Sequence, residues 1–104
     1  MLDLDVMLAK SLKVKLHDEI INLNQPTKKM VDKINTVINN AQNGELDSVE
    51  VINAQYDIVG DILNNNTSAR KFTKSEVEAL PVAAIVAIIN AIVQFVSGVE
   101  SDPN

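Results

Sequence analysis

Apolar and polar residues alternate through the first quarter of the chain. Leu2, Leu4, Val6 and Leu8 stand between Asp3, Asp5 and Met7. Leu12, Val14 and Leu16 stand between Lys13 and Lys15, and Ile21 and Leu23 between Asn22 and Asn24. Period two puts each apolar set on one face of a pleated strand. The spacing predicts a β-hairpin with strands over 11–16 and 20–24 and a turn at His17-Asp18-Glu19, with 2–8 as an extra strand or an extension of the first. A two-stranded hairpin is marginal in water, so its apolar face requires a covering helix.

At Pro26 the period changes. Proline stops the strand and suits the first turn of a helix. Met30, Val31, Ile34, Val37, Ile38 and Ala41 then fall on one face of a helix over 27–43, which Gly44 ends. Asp47-Ser48-Val49-Glu50 has capping-box spacing and opens a second helix. That helix carries two apolar stripes, Val49/Ile52/Tyr56/Val59/Leu63 and Val51/Ile58/Ile62, with Gly60 between them. An interior glycine costs up to about 1 kcal/mol relative to alanine, so Gly60 predicts a close helix crossing. Asn64-Asn65-Asn66 ends the helix, since asparagine tolerates the left-handed conformation. Thr73-Lys74-Ser75-Glu76 is a second capping box, opening a short helix that Pro81 interrupts.

The most apolar stretch is 82–99. On a helical wheel Val82, Ile85, Ile89, Ile92, Val93 and Val96 make the core face; Ala83, Ala87, Asn90, Ala91, Gln94 and Gly98 make a ridge of small and polar residues. The span 80–99 is long enough to cross a bilayer. Asn90, Gln94 and Ser97 form a polar stripe along it, however, and no Lys or Arg flanks its C-terminal end, so a membrane helix is not expected. The elements predict an α+β fold: one domain over 1–104, with an N-terminal β-hairpin region (1–24) packed on three to four α-helices (26–99) and a flexible tail (100–104).

Composition narrows the function classes. A chain of 104 residues is one domain. Cysteine is absent, which removes disulfides, thiolate zinc sites and a thiol nucleophile. A net charge of -5 is wrong for a nucleic-acid surface. The single histidine, His17, lies beside Asp18 and Glu19 without metal-ligand spacing and reads as a polar turn. Asp3 and Asp5 read as a solvated strand face, and Arg70-Lys71-Phe72 is too short for a nucleic-acid platform. Three glycines leave no phosphate-cradling loop, and no metalloprotease or EF-hand motif is present. No catalytic residue, metal or cofactor is expected, and the chain does not read as an enzyme. The N-terminus has acids where a secretory signal has bases, so a cytoplasmic protein is expected and the sequons at Asn65 and Asn66 carry no weight.

The order of elements supports one resemblance. A hairpin is followed by Gln25-Pro26-Thr27-Lys28-Lys29-Met30, a helix ending Asp61-Ile62-Leu63-Asn64-Asn65-Asn66, then Lys71-Phe72-Thr73-Lys74-Ser75-Glu76-Val77-Glu78, a helix with Phe95-Val96, and a terminal Asp102-Pro103-Asn104. Over most of its length the chain resembles the small tail assembly chaperones of long-tailed phages and prophages of Gram-positive bacteria. The resemblance implies a non-enzymatic virion assembly factor of the host cytoplasm that coats the helical tape-measure protein, keeps it soluble and helps recruit tail-tube protein. An apolar groove would bind such a helix. The surplus apolar edge Val51, Ile58, Ile62 and the ridge Ala83, Ala87, Ala91 are the expected protein-binding surfaces, the ridge also serving a homo-oligomer. The competing reading is an interaction module of the bacteriocin-immunity type. Those bundles usually lack a hairpin and tend to be basic, unlike this chain.

Overall fold

The computed structural model describes residues 11–44, 47–68 and 70–101, with side chains through Ser97. The strand expected over 2–8, with Asp3 and Asp5, lies outside the described residues. Two antiparallel strands, β1 (Leu12–Leu16) and β2 (Glu19–Leu23), precede four helices: α1 (Lys28–Gln42), α2 (Ser48–Asn64), α3 (Lys74–Glu78) and α4 (Val82–Ser101). The architecture is α+β, as the periodicity requires.

The hairpin register pairs Leu12 with Leu23, Val14 with Ile21 and Leu16 with Glu19. The turn is two residues, tighter than expected. His17 and Asp18 both adopt positive φ, 51° and 64°, and successive left-handed residues give the turn twist that matches paired strands. Glu19 therefore belongs to β2. Ile21 and Leu23 are fully buried and Leu12, Val14 and Leu16 half-buried against the core, while Ile20, opposite Lys15, is 64% exposed on the outer face.

α2 is the central element and packs against α1, α3, α4 and β2. Its buried residues are Ile58, Val59, Ile62 and Leu63. Both expected stripes are thus core in the second half of the helix. In the first half Val49 is 66% and Ile52 37% exposed. α4 contributes Ile85, Ile88, Ile89 and Ile92. Ile88 replaces Val82 and Val93 on the core face: those two valines, expected inside, are exposed. α1 buries only Ile34 fully.

The capping boxes form at Asp47–Glu50 and Thr73–Glu76, and Thr27 caps α1 by accepting from the Met30 amide. Pro81 separates α3 from α4, its carbonyl accepting from the Ala84 and Ile85 amides. α4 runs to Ser101, into the stretch expected as a tail; residues 102–104 lie outside the described residues.

Two expectations need correction. Gly60 makes no close crossing: a Cβ there would meet only Val77 Cγ2, at 3.9 Å. The asparagine run does not end α2 through left-handed backbone, since Asn65 has φ −93° and Asn64–Asn66 have no positive φ. Their side chains build the following loop instead. Asn64 accepts from the Phe72 amide at 2.7 Å and donates to the Phe72 carbonyl at 3.3 Å, imitating a strand partner. Asn66 is buried. Its Nδ2 donates to the Leu63 and Arg70 carbonyls, both at 2.7 Å, and its Oδ1 accepts from the Ser68 amide, the Ser68 hydroxyl and the Arg70 amide at 3.0–3.1 Å. Asn66 also bridges to Leu23, with the Asn24 amide donating to the Asn65 carbonyl and the Thr67 amide to the Asn22 carbonyl. The loop thereby docks on the free side of β2.

Arg70 closes the same corner. Its guanidinium lies 4.3 Å from the centre of the Phe72 ring and reaches Glu76 at 2.9 Å and Glu19 at 3.3 Å. The hydrogen bond from Arg70, then that from the Thr73 amide, holds the Glu76 carboxyl below the usual carboxylate range.

Candidate functional site

The apolar stripe of α1 has more width than one neighbouring helix covers. Ile34 rests in the core, but Val31, Val37 and Ile38 are only half-buried and Ala41 is exposed. Opposite them on α4, Val96 is half-buried and Val93 is 37% exposed. Two open cavities lie in this seam. One, about 180 Å³, is lined by Ile34, Val37, Ile38, Ala41 and Gln42 of α1, Gln55 and Ile58 of α2 and Ile89 of α4. The other, about 190 Å³, is lined by Val31, Ile34 and Asn35 of α1 and Ile92, Val93, Val96 and Ser97 of α4. Ile34 lines both, so the two adjoin along the α1–α4 seam, and together they are called the trough below.

The trough runs along α1 from Val31 to Gln42, about 16 Å at the helical rise. That is the length of three turns of a guest helix. α1 ascends while α4 descends along it: Gln42 and Ala41 share a cavity with Ile89, and Val31 with Val96. Every polar lining residue is neutral: Asn35, Gln42, Gln55 and Ser97. The trough thus has aliphatic walls interrupted by neutral polar groups and no charged side chain in its lining. It can bury apolar side chains of a helix spaced three and four residues apart.

The structure scatters the residues singled out from the sequence. Ile58 is 2% exposed and lies at the floor of the trough; Ile62 is 1% exposed and belongs to the core. Neither is a reachable edge, because the packing of α4 and α1 on α2 occupies both stripes there. Val51 is half-buried. Ala83 and Ala87 are exposed and Ala91 half-buried, on a different side of α4 from Val93 and the trough. The trough residues Val37, Ile38, Val93 and Val96 read as ordinary core from the sequence. The available signal was the breadth of α1's apolar stripe against the small number of helices available to cover it.

A second concavity, about 640 Å³, lies on the other side of α2, between it and α3. Asn53, Tyr56, Asp57, Gly60, Asp61 and Asn64 face it from α2, and Phe72, Lys74, Val77 and Glu78 from the α3 side. The Tyr56 hydroxyl donates to the Leu80 carbonyl, which fixes one end of this groove. His17 stands at the exposed hairpin turn. Among the described residues no helix is long and apolar enough to cross a membrane.

No protein-family model matches the chain, and no curated protein and no solved structure matches it either.

Proposed function

We propose that the protein is a non-enzymatic tail assembly chaperone of a long-tailed phage or prophage, which holds apolar stretches of the helical tape-measure protein until the tail tube encloses them. The observation that supports this reading is the trough between α1 and α4: apolar, free of charge, and as long as three helical turns. Sequestering apolar helix surface lowers the free concentration of the aggregating species, which is how such a factor keeps its client soluble. The reading also includes self-association along the exposed Ala83/Ala87 side of α4, with action in the host cytoplasm.

Co-expression with the tape-measure protein of the same genome tests it. The wild-type chain keeps that protein soluble and co-purifies with it, and the complex survives about 0.5 M salt because apolar contacts are not screened as charge pairs are. Val93→Asp places a carboxylate on the trough wall at a half-open position, so the chain folds but rescue falls about tenfold or more. Ile20→Asp, the same chemistry on the outer face of the hairpin, leaves rescue intact. A folded Val93→Asp variant that rescues fully removes the trough as the site. A wild-type chain that neither binds nor solubilises the tape-measure protein ends the chaperone reading, and light scattering of the purified chain showing only monomer ends the self-association.

A further inference from the structure

The two edges of the hairpin end differently. The two-residue turn makes Leu16–Glu19 a hydrogen-bonded pair, and alternation makes Val14–Ile21 and Leu12–Leu23 hydrogen-bonded pairs as well. The residues between them point their amides and carbonyls away from the partner strand. On β2 these outward groups are used. The Asn22 carbonyl accepts from the Thr67 amide at 2.9 Å, and the Asn24 amide donates to the Asn65 carbonyl at 2.8 Å. On β1 the outward groups are the amides and carbonyls of Lys13 and Lys15, and these have no backbone partner among the described residues.

The side chains mark the same edge independently. Leu12, Val14 and Leu16 face the core yet are only half-buried, whereas Ile21 and Leu23 beside them are fully buried. The apolar face is therefore complete at β2 and unfinished at β1. On the outer face Lys13 and Lys15 are exposed. Lys13 makes no ion pair among the described residues, and Lys15 only approaches Asp18, at 3.9 Å with both side chains largely in water. A second β1 strand laid antiparallel on this edge sets lysine against lysine, which is unfavourable. A strand with acids at those positions is attracted instead.

We propose that the open edge of β1 takes an extended segment of a partner protein as a third, antiparallel strand, one that alternates apolar residues with acids. Its main chain completes the hydrogen bonds of Lys13 and Lys15. Its apolar residues continue the inner face past Leu12, Val14 and Leu16, and its carboxylates stand beside the two ammonium groups. Nucleic acid, another polyanion, is repelled by a chain of net charge -5 and has no main-chain donors to pair with a strand edge. The edge shares no lining residue with the trough and takes a strand where the trough takes a helix.

The probe is a peptide of about seven residues alternating valine and glutamate, long enough to span the strand. Amide hydrogen exchange of the full chain, followed by NMR, reads the edge directly. In the chain alone the Lys13 and Lys15 amides exchange freely while those of Val14 and Leu16 are protected. Saturating peptide slows exchange at Lys13 and Lys15 about tenfold or more. Methylating the peptide nitrogens that face β1 abolishes binding, and methylating the alternate set leaves it, a test that does not alter the protein. Lys13→Glu and Lys15→Glu, both at exposed positions, each weaken binding about three- to fivefold and favour a peptide with lysine in place of glutamate. Equal binding of the glutamate and lysine peptides, or binding that leaves the Lys13 and Lys15 amides unprotected, overturns the proposal. Protection of those amides without peptide overturns it too. If that protection is independent of concentration, the chain's own polypeptide fills the edge; if it rises with concentration, a second copy does.

Discussion

The loop that leaves α2 and the seam between α1 and α4 solve opposite problems. In the loop, Asn64 and Asn66 satisfy the carbonyls and amides of Leu63, Arg70 and Phe72, and Asn66 uses both ends of its buried amide. In the seam the walls are mainly aliphatic, and Val31, Val37, Ile38 and Val93 remain partly open. The difference separates two meanings of an irregular surface. A saturated polar corner has one arrangement, because any departure leaves buried donors and acceptors unpaired. An apolar seam with room in it changes little in free energy when a guest side chain enters, and gains what that side chain buries.

The largest effect is expected where the polar corner is broken. Asn66→Ala removes five hydrogen bonds and strands backbone groups of Leu63, Ser68 and Arg70. The cost is about 2–4 kcal/mol, the range for leaving several buried partners unpaired. Urea denaturation measures it. Asn66→Asp keeps the shape but turns a donor toward two carbonyls into an acceptor, so it is destabilising as well. A loss below about 0.5 kcal/mol for both variants, the level of an ordinary surface change, shows that the corner is not held this way.

These contrasts explain what the sequence discloses and what it does not. The capping boxes at Asp47 and Thr73 are legible because donor and acceptor lie three residues apart, and the hairpin is legible because period two survives at every position of LKVKL. Asn66 is not legible: its partners at Arg70 and its bridge to Leu23 exist only once the loop has docked on β2. On α4 the wheel gives the apolar arc but not which part is covered. The true core, Ile85, Ile88, Ile89 and Ile92, is rotated by about 40° from the arc centre, enough to put Val82 and Val93 outside. The candidate site fails to show in the sequence for the same reason, since an underused stripe is defined by the neighbours it lacks.

Gly60 sharpens the comparison with an effect of opposite sign. The free chain has space for a methyl group at Gly60, with Val77 Cγ2 at an ordinary contact distance of 3.9 Å. Gly60→Ala therefore raises stability by about 0.5–1 kcal/mol, through helix propensity and lower unfolded-state entropy. Thermal melts of the two proteins at equal concentration measure it. A destabilised Gly60→Ala protein means that the groove is tighter than its contacts indicate.

The smallest effect is the pH dependence of the corner's outer edge, where Arg70 joins Glu76 and Glu19 in water. Arg70 and the Thr73 amide lower the Glu76 pKa in the folded chain relative to the unfolded one. A carboxylate lowered on folding stabilises the native state at pH values above its unfolded pKa, and the contribution disappears as pH falls through the folded value. Glu76→Gln preserves capping-box chemistry at N3 while removing the charge. The wild type is thus the more stable of the two at neutral pH, and the gap closes on acidification below the ordinary glutamate range. Arg70→Leu shrinks the neutral-pH gap, because the first cause of the shift is gone. Urea midpoints across that pH series decide it: a gap that stays constant with pH assigns the Glu76 contribution to packing or to the cap alone, and not to its charge.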